Sequence, residues 1–443
     1  MFGCGGVLMS RFVCWVALFF GILGLIGWVE AGDEVTSRVG RLADEVTGDV
    51  LRWRRDFHAH PELSNREERT SRVVAELLRQ FGVDSLKTGV AGHGVVALIH
   101  GRQPGPCVAL RADMDALPIQ ERSGVPFASQ NAGVMHACGH DAHMAMLLGA
   151  AKVLVQMRDA LPGTVKLIFQ PAEEGPPRGE QGGAKLMIDE GVLEDPRVSA
   201  IFGMHVSTDL DCGKLGYRFG ALLAAVDRFR VTVRGKQSHA ATPWKGVDPI
   251  VGTAHIISAV QTIASRRVDA RQPVVVSFGM VHGGQAWNII PERVELEGTI
   301  RTHDVEVRRL AVAQFHRIVR ETAGALGCQV EIQWDDYGPV VWNDPDLGQR
   351  MLPSLARAAG QGNVVESPPV MGGEDFAHYA RKVPGFFIFL GVRNEMAGAI
   401  HPLHTPQMRI DEAALPLGVR THCLLAIDCL KQEAGRVSRA AEE

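Results

Sequence analysis

Apolar positions along the chain follow two rhythms. From Val35 to about Gln80 they keep helical spacing, interrupted by Phe57-His58-Ala59-His60-Pro61-Glu62-Leu63. Short apolar runs then alternate with helical stretches. Residues 94–100, 107–111, 164–170 and 200–205 read as strands, and residues 141–157 read as a helix. That alternation predicts an α/β sheet flanked by helices. Between about Val226 and Trp334 the rhythm changes. Residues 226–233, 273–281, 293–301 and 328–334 read as strands. One helix begins at Asp248-Pro249, an N-cap followed by a proline in the first helical position, and a longer one covers 304–326. The order β-α-β-β-α-β predicts a ferredoxin-like unit over 225–334. It would be inserted into a larger unit formed by 32–224 and 335–443, to which a strand at 386–392 belongs.

The length of 443 residues exceeds what one hydrophobic core serves and fits two or three units. With 46% apolar and 22% charged residues, disorder, collagen and coiled coil are excluded for the chain as a whole. Lys and Arg number 46 against 50 Asp and Glu, a net charge of -4 with no basic footprint, which argues against a nucleic-acid partner. Arg11 precedes an apolar run over 12–29, and the acidic Gly32-Asp33-Glu34 follows it. This predicts a secretory signal peptide over 1–31 and export, periplasmic or secreted. The run is also long enough to span a bilayer, so an uncleaved anchor is the competing expectation. Cys4 and Cys14 lie in this leader. Cys107, Cys138, Cys212, Cys328, Cys423 and Cys429 are scattered, without CxxC pairs or a disulfide framework.

Polar clusters follow the strands. Asp113 and Asp115 stand in Arg-Ala-Asp-Met-Asp-Ala-Leu-Pro, Glu173 and Glu174 in Phe-Gln-Pro-Ala-Glu-Glu-Gly, and His205 closes its run. Met135-His136-Ala137-Cys138-Gly139-His140-Asp141 opens a helix. Taken singly, each has an ordinary explanation. A buried Cys beside a His is common, Asp141 would be an N-cap, and Glu-Glu before Gly is a solvated turn. Together at the carboxyl ends of strands they point to one site. A Cys/His/Glu set suits Zn²⁺ or Mn²⁺ better than Mg²⁺ or Ca²⁺.

The stretches 57–64, 111–118, 135–143, 169–175, 203–205, 235–250, 288–292, 372–376 and His404-Thr405-Pro406 occur in family order. They resemble the aminoacylase, hippurate hydrolase and auxin-conjugate (IAA-amino acid) hydrolase group of two-metal amidohydrolases. Carboxypeptidase G-type enzymes are more distant relatives. The resemblance implies a mixed-sheet, zinc-peptidase-like catalytic domain with an inserted ferredoxin-like lid and dimerisation domain. It implies two divalent ions per subunit, Mn²⁺ or Zn²⁺, on Cys138, His140, Glu174, His205 and His404, with the thiolate between them. Glu173 falls on the general base and Asp115 on the carboxylate that supports the site, with Asp113 and Asp141 as neighbours. His239 falls on the lid residue that donates to the oxyanion, often across a dimer interface. Asn288 and Arg301 fall on positions that hold the substrate carboxylate, and Gly372-Gly373-Glu374-Asp375 on the cleft lining. The implied substrate is a small N-acyl amino acid or short peptide, and the implied assembly a homodimer through the lid. A dipeptidase or carboxypeptidase on this scaffold is the nearest alternative, and an exported binding protein without turnover is the alternative from another class. One departure stands out. After Glu174 the chain reads Gly-Pro-Pro-Arg-Gly-Glu-Gln-Gly-Gly-Ala, where relatives have a shorter glycine run, which leaves the acyl group and amino acid unread.

Overall fold

The computed structural model describes residues 9–442, with side chains described between Glu34 and Arg436. The leader expected at 1–31 lies outside the residues whose side chains are described. Helix α1 (Met9–Ala59) stops just before Pro61, in keeping with the aversion of pre-proline residues to helical geometry. Helix α2 (Glu68–Phe81) buries one face through Thr70, Val74, Ala75 and Leu78 and closes on Gly82 in the left-handed conformation. The chain continues through β1 (Ser85–Val90), β2 (Gly94–His100), β3 (Gln103–Asp113), α3 (His140–Gln156), β4 (Pro162–Gln170), α4 (Gly183–Asp189), β5 (Val198–Asp211), β6 (Leu215–Tyr217) and β7 (Gly220–Leu223).

A second unit follows: β8 (Ala225–Arg234), β9 (Ser238–His239), α5 (Pro249–Val260), β10 (Val274–Gly283), β11 (Ile289–Ile290), β12 (Arg293–Thr302), α6 (Val305–Ala325) and β13 (Gln329–Gly338). The chain then returns to the first unit through β14 (Val341–Asn343), α7 (Pro345–Ala359), β15 (Val364–Glu366), α8 (Phe376–Ala380), β16 (Gly385–Arg393) and α9 (Leu415–Glu442).

Strands of the larger unit form one mixed sheet of eight, in the order β1-β2-β4-β3-β5-β16-β6-β15. At its centre β3 runs parallel to both β4 and β5, and β5 runs parallel to β16. Every residue of β3 from Cys107 to Asp113 is buried, because helices cover both faces and the strand must be apolar on each. On one face lies α3, buried almost all round between the sheet, α1 and α9. The apolar α9 is core rather than surface, packed on α1, α3 and α7. On the other face Met187 of α4 and Phe376 and Tyr379 of α8 pack against Ile201 and Phe387. The parallel strands β3, β4 and β5 therefore point their carboxyl ends to one edge, where α3 begins.

The second unit is an antiparallel sheet in the order β10-β12-β8-β13. Helices α5 and α6 share its core with Phe229, Val231, Leu296, Ile300 and Phe315. Asp248 and Asp304 cap these helices by accepting from the N–H groups of Ile250 and Val251, and of Glu306 and Val307. The strands entering and leaving the unit lie side by side, since β7 pairs with β14 through Leu223 and Val341.

Three local expectations shift. β3 continues through Asp113, so this residue ends the strand instead of following it. β5 runs on to Asp211, past His205. Asp141 is not a cap: Gly139 (φ 88°) precedes the helix, and Asp141 pairs with Arg54 at 2.7 Å and His58 at 2.8 Å. Two buried basic groups outcompete the backbone for its carboxylate.

Gly149 lies where α3 meets its neighbours. A β-carbon there would come within 2.7 Å of Val50 on α1 and 2.8 Å of Val419 on α9. Helix propensity favours Ala over Gly by about 1 kcal/mol, whereas overpacking a closed core costs about 1–3 kcal/mol. Both valines are stiff at χ1 and belong to packed helices, so crowding wins. Gly149→Ala is expected to lower stability by about 1 kcal/mol in urea unfolding; a rise in stability would show that the helices yield.

Candidate metal centre

The site gathers where the central strands end. Asp113 and Asp115 come from the end of β3, Glu173 and Glu174 from the turn after β4, and His205 from β5. Cys138 and His140 flank Gly139, whose left-handed backbone leads into α3 and where a β-carbon would collide with Val206. His404 reaches in from the loop before α9, with φ 61° and its N–H on Ala137 O at 2.8 Å. A non-glycine residue in that region is strained and is held there by its surroundings.

Donor atoms converge. Cys138 Sγ lies 3.3 Å from His205 Nε2 and 3.2 Å from His404 Nε2. His404 Nε2 is 3.1 Å from Glu174 Oε1. His140 donates from Nδ1 to Asp115 O at 2.8 Å, and His205 from Nδ1 to Val206 O at 2.7 Å. Both bonds leave Nε2 turned to the other donors, the arrangement that metal-binding histidines use. Nε2 of His140 is buried without a hydrogen-bond partner among the described residues. Among the overlapping groups of donor atoms that lie within 4.8 Å of one another, two contain the thiol: Cys138 with His140 and His205, and Cys138 with Glu174 and His404. The two groups share the thiol. Sulfur, imidazole and carboxylate in one set fit a pair of borderline-soft dications.

Electrostatics agree with that fit. Burial, then Glu174 and Glu173, push the Cys138 thiol well above its ordinary pKa. Burial, then Glu374 and Glu174, push Glu173 up. Burial opposes charge on His140, but Asp113 and Asp115 outweigh it and hold its pKa up at about 10. Negative groups are thus crowded beyond what the protein's own cations balance, and added positive charge would relieve each of these shifts.

Around the donors sits a supporting layer. Asp115 accepts from the N–H of Glu173 at 3.0 Å and of Glu174 at 2.9 Å, and from Ser64 Oγ at 2.7 Å. His143 donates from Nδ1 to Asp113 at 2.6 Å and accepts the Val206 N–H on Nε2 at 2.9 Å, so neither nitrogen is left for an ion. Ser64, His143, Arg111, Gln170 and Tyr337 were not singled out in the sequence. Only Arg111, a charge inside a run of buried strand residues, carries a visible signal there.

A cleft of about 990 Å³ opens over the donors. Cys138, Glu173, Glu174, His205, His404, Gly372, Gly373 and Glu374 line it from the larger unit, and Arg228, Thr299 and Arg301 from the smaller. Arg301 donates from Nε to Thr299 Oγ1 at 3.0 Å and pairs with no carboxylate among the described residues; burial lowers its pKa. His239 and Asn288 stand elsewhere. They meet at the short β9–β11 ladder, where the Ala240 N–H bonds Asn288 O at 3.0 Å, and neither lines the cleft. His239 is exposed, its Nδ1 accepting from the Ala241 N–H at 3.0 Å. One chain therefore brings together all five metal-ligand candidates with Glu173, Asp115 and Arg301, and leaves His239 and Asn288 at the β9–β11 ladder of the smaller unit.

The pattern of peptidase family M20/M25/M40 matches residues 109–428. Thermostable carboxypeptidase 2 of Saccharolobus solfataricus is 43% identical over 385 residues, covering 86% of this chain and 96% of that protein. N-acetylcysteine deacetylase of Bacillus subtilis is 41% identical over 382 residues, covering 86% and 97%. The crystal structure of a dinuclear metal-binding peptidase of the M20 family from Bacillus subtilis matches with a TM-score of 0.74 at 38% identity, covering 88% of this chain and 99% of that one.

The shared thiol makes a graded forecast. Cys138→Ala removes a donor from both groups and Glu174→Gln weakens one, so elemental analysis of the purified variants should show less bound metal in Cys138→Ala than in Glu174→Gln, and less in both than in wild type. Wild-type metal content in Cys138→Ala would rule the thiol out as a ligand.

Proposed function

Because the chain belongs to peptidase family M20/M25/M40, and with it to the metal-dependent amidohydrolases, we propose that it removes the acyl group from N-acyl amino acids. The observation that carries this reading is the pair of donor groups joined at Cys138, next to Glu173 and in one cleft with Arg301, which meets no carboxylate among the described residues. Cys138, His140, Glu174, His205 and His404 would hold two divalent ions, Mn²⁺ or Zn²⁺. When bound, such ions supply Lewis acidity that polarises the amide carbonyl and acidifies water. Glu173 takes the proton of the attacking water on its carboxylate as the new C–O bond forms. It then delivers that proton to the amide nitrogen as the C–N bond breaks, giving a carboxylic acid and a free amine. Asp115 keeps the Glu173 backbone in place through the N–H bonds described above. Arg301 suits the α-carboxylate of the amino-acid half, which a guanidinium can bind bidentately.

The smaller unit has the β-α-β-β-α-β order of a ferredoxin-like fold, and the proposal makes it a lid and dimerisation domain. Its edge strand β10 exposes Met280 and Val281, and α5 exposes Ile250 and Val251, apolar surface that suits a second copy of the chain. His239 and Asn288 would then serve the partner's cleft, His239 as donor to the oxyanion and Asn288 at the substrate carboxylate. A peptidase reading has its own support in the similarity to a carboxypeptidase, since a carboxylate site serves both substrates.

Two experiments test this. On metal-loaded protein, N-acetyl and N-benzoyl amino acids are expected to be hydrolysed in preference to free dipeptides. Glu173→Gln should keep its metal and lose about a hundred- to ten-thousandfold in rate. Preference for dipeptides would select the peptidase reading, and an active Glu173→Gln would remove Glu173 as base. For the dimer, Glu173→Gln and His239→Ala should each be nearly inactive alone, the latter by about a hundred- to thousandfold. Co-expressed in equal amounts they form about half mixed dimers, each with one complete site, and roughly a quarter of wild-type activity should return. No recovery in demonstrated mixed dimers would place His239 outside the partner's site.

A further inference from the structure

The peptide unit that joins Glu173 to Glu174 carries one proposed function on each side, the base and a metal ligand. Its N–H is the Glu174 N–H, which Asp115 Oδ2 accepts at 2.9 Å. Its carbonyl is Glu173 O, which accepts from the Tyr337 hydroxyl at 3.3 Å. The plane is therefore held at both ends, by Asp115 from within the larger unit and by Tyr337 from outside it. The turn needs such holds. Ala172 takes φ 54°, its N–H bonded to the buried Glu67 at 2.9 Å, and Gly175 takes φ 101°. Gly175 presses directly on the phenol: a β-carbon there would lie 2.5 Å from the Tyr337 hydroxyl and 3.0 Å from its ring edge. Tyr337 is half-buried, lines the cleft, and sits at the end of β13, where the ladder with β8 slips between Asp336 and Gly338. It is the last side chain of the smaller unit before the chain crosses back.

We propose that Tyr337 is a positioning residue: by fixing the Glu173 carbonyl it aims the Glu173 carboxylate, and it makes that aim depend on the smaller unit. Burial and the nearby Glu173 raise the pKa of the phenol, so it remains a donor throughout the neutral range. The inference rests on Glu173 being the base. A released carbonyl frees the Glu173 side of the peptide plane, which spoils proton transfer. The remaining bond from the Glu174 N–H to Asp115 holds the Glu174 side and leaves the cleft wall and the donors of the metal groups in place.

Tyr337→Phe keeps the ring against Gly175 and deletes only the hydroxyl. On an N-acyl amino acid, kcat is expected to fall about five- to tenfold, the effect of one lost hydrogen bond. KM and metal content should stay within about twofold of wild type. In a Glu173→Gln background the same change should leave the residual rate unaltered, because it acts through the carboxylate. A wild-type kcat in Tyr337→Phe, or a raised KM or lost metal in place of a lowered kcat, overturns the proposal while an inactive Glu173→Gln leaves the base standing. An active Glu173→Gln overturns the base itself, and the two failures are thereby told apart.

Discussion

The Arg111 guanidinium lies inside the central sheet, 1% exposed, with the acidic centre built around it. It reaches Asp113 at 2.7 Å, Asp375 at 2.8 Å and Glu374 at 3.0 Å, and donates to Gln170 at 2.9 Å. Carboxylates at this depth would each cost several kcal/mol if left charged and unpaired. Burial pushes Asp113 toward protonation, yet His140, His143 and Arg111 outweigh it and keep the group ionised. Ionised Asp113 can then hold His143, and His143 fixes the Val206 N–H beside His205. Burial still prevails at Asp375, whose pKa is pushed up to about 7 in spite of the guanidinium. Arg111 is the one guanidinium shared by three carboxylates, an acidic cluster of the sign that suits dications next door.

Much of this architecture is visible in local pattern. β2 occupies 94–100 because its apolar run is bounded by Gly94 and by His100-Gly101, and α6 starts after Asp304 because that side chain caps it. Glu173 and Glu174 could be placed after a strand, since the apolar run ends abruptly at Pro171. Other elements have no such signature. β1 is mostly exposed and barely apolar, and β9 and β11 are two residues each, formed only because they meet one another. Long-range partners are equally hidden. His404 lies 266 positions from Cys138, and Asp375 lies 264 from Arg111, so no spacing rule pairs them. His404 was reached through family resemblance, whereas the Arg111 cluster emerged only when the sheet brought β3 and β4 beside the segment before α8.

The division of labour between the units follows from chemistry. Metal donors need fixed geometry, and they sit on strand ends and a helix start within the close-packed sheet domain. Substrate groups need to enter and leave, and Arg301, Thr299 and Arg228 line the cleft from a unit that does not share that core. The exposed ladder bearing His239 and Asn288 belongs to the same smaller unit, so every candidate for recognising the substrate's charged ends is separate from the groups proposed to hold metal.

The paired crossing of β7 and β14 has a mechanical meaning. Both covalent links to the smaller unit run through strands hydrogen-bonded to each other, from Gly220 to Leu223 and from Val341 to Asn343. Two links bound along a seam resist sliding and torsion but permit bending, as a strip of tape joins two cards. A bend at that seam would carry the whole smaller unit with it. Arg301 on β12 and Tyr337 on β13 both belong to that unit, so the two roles proposed for them would be coupled through one seam.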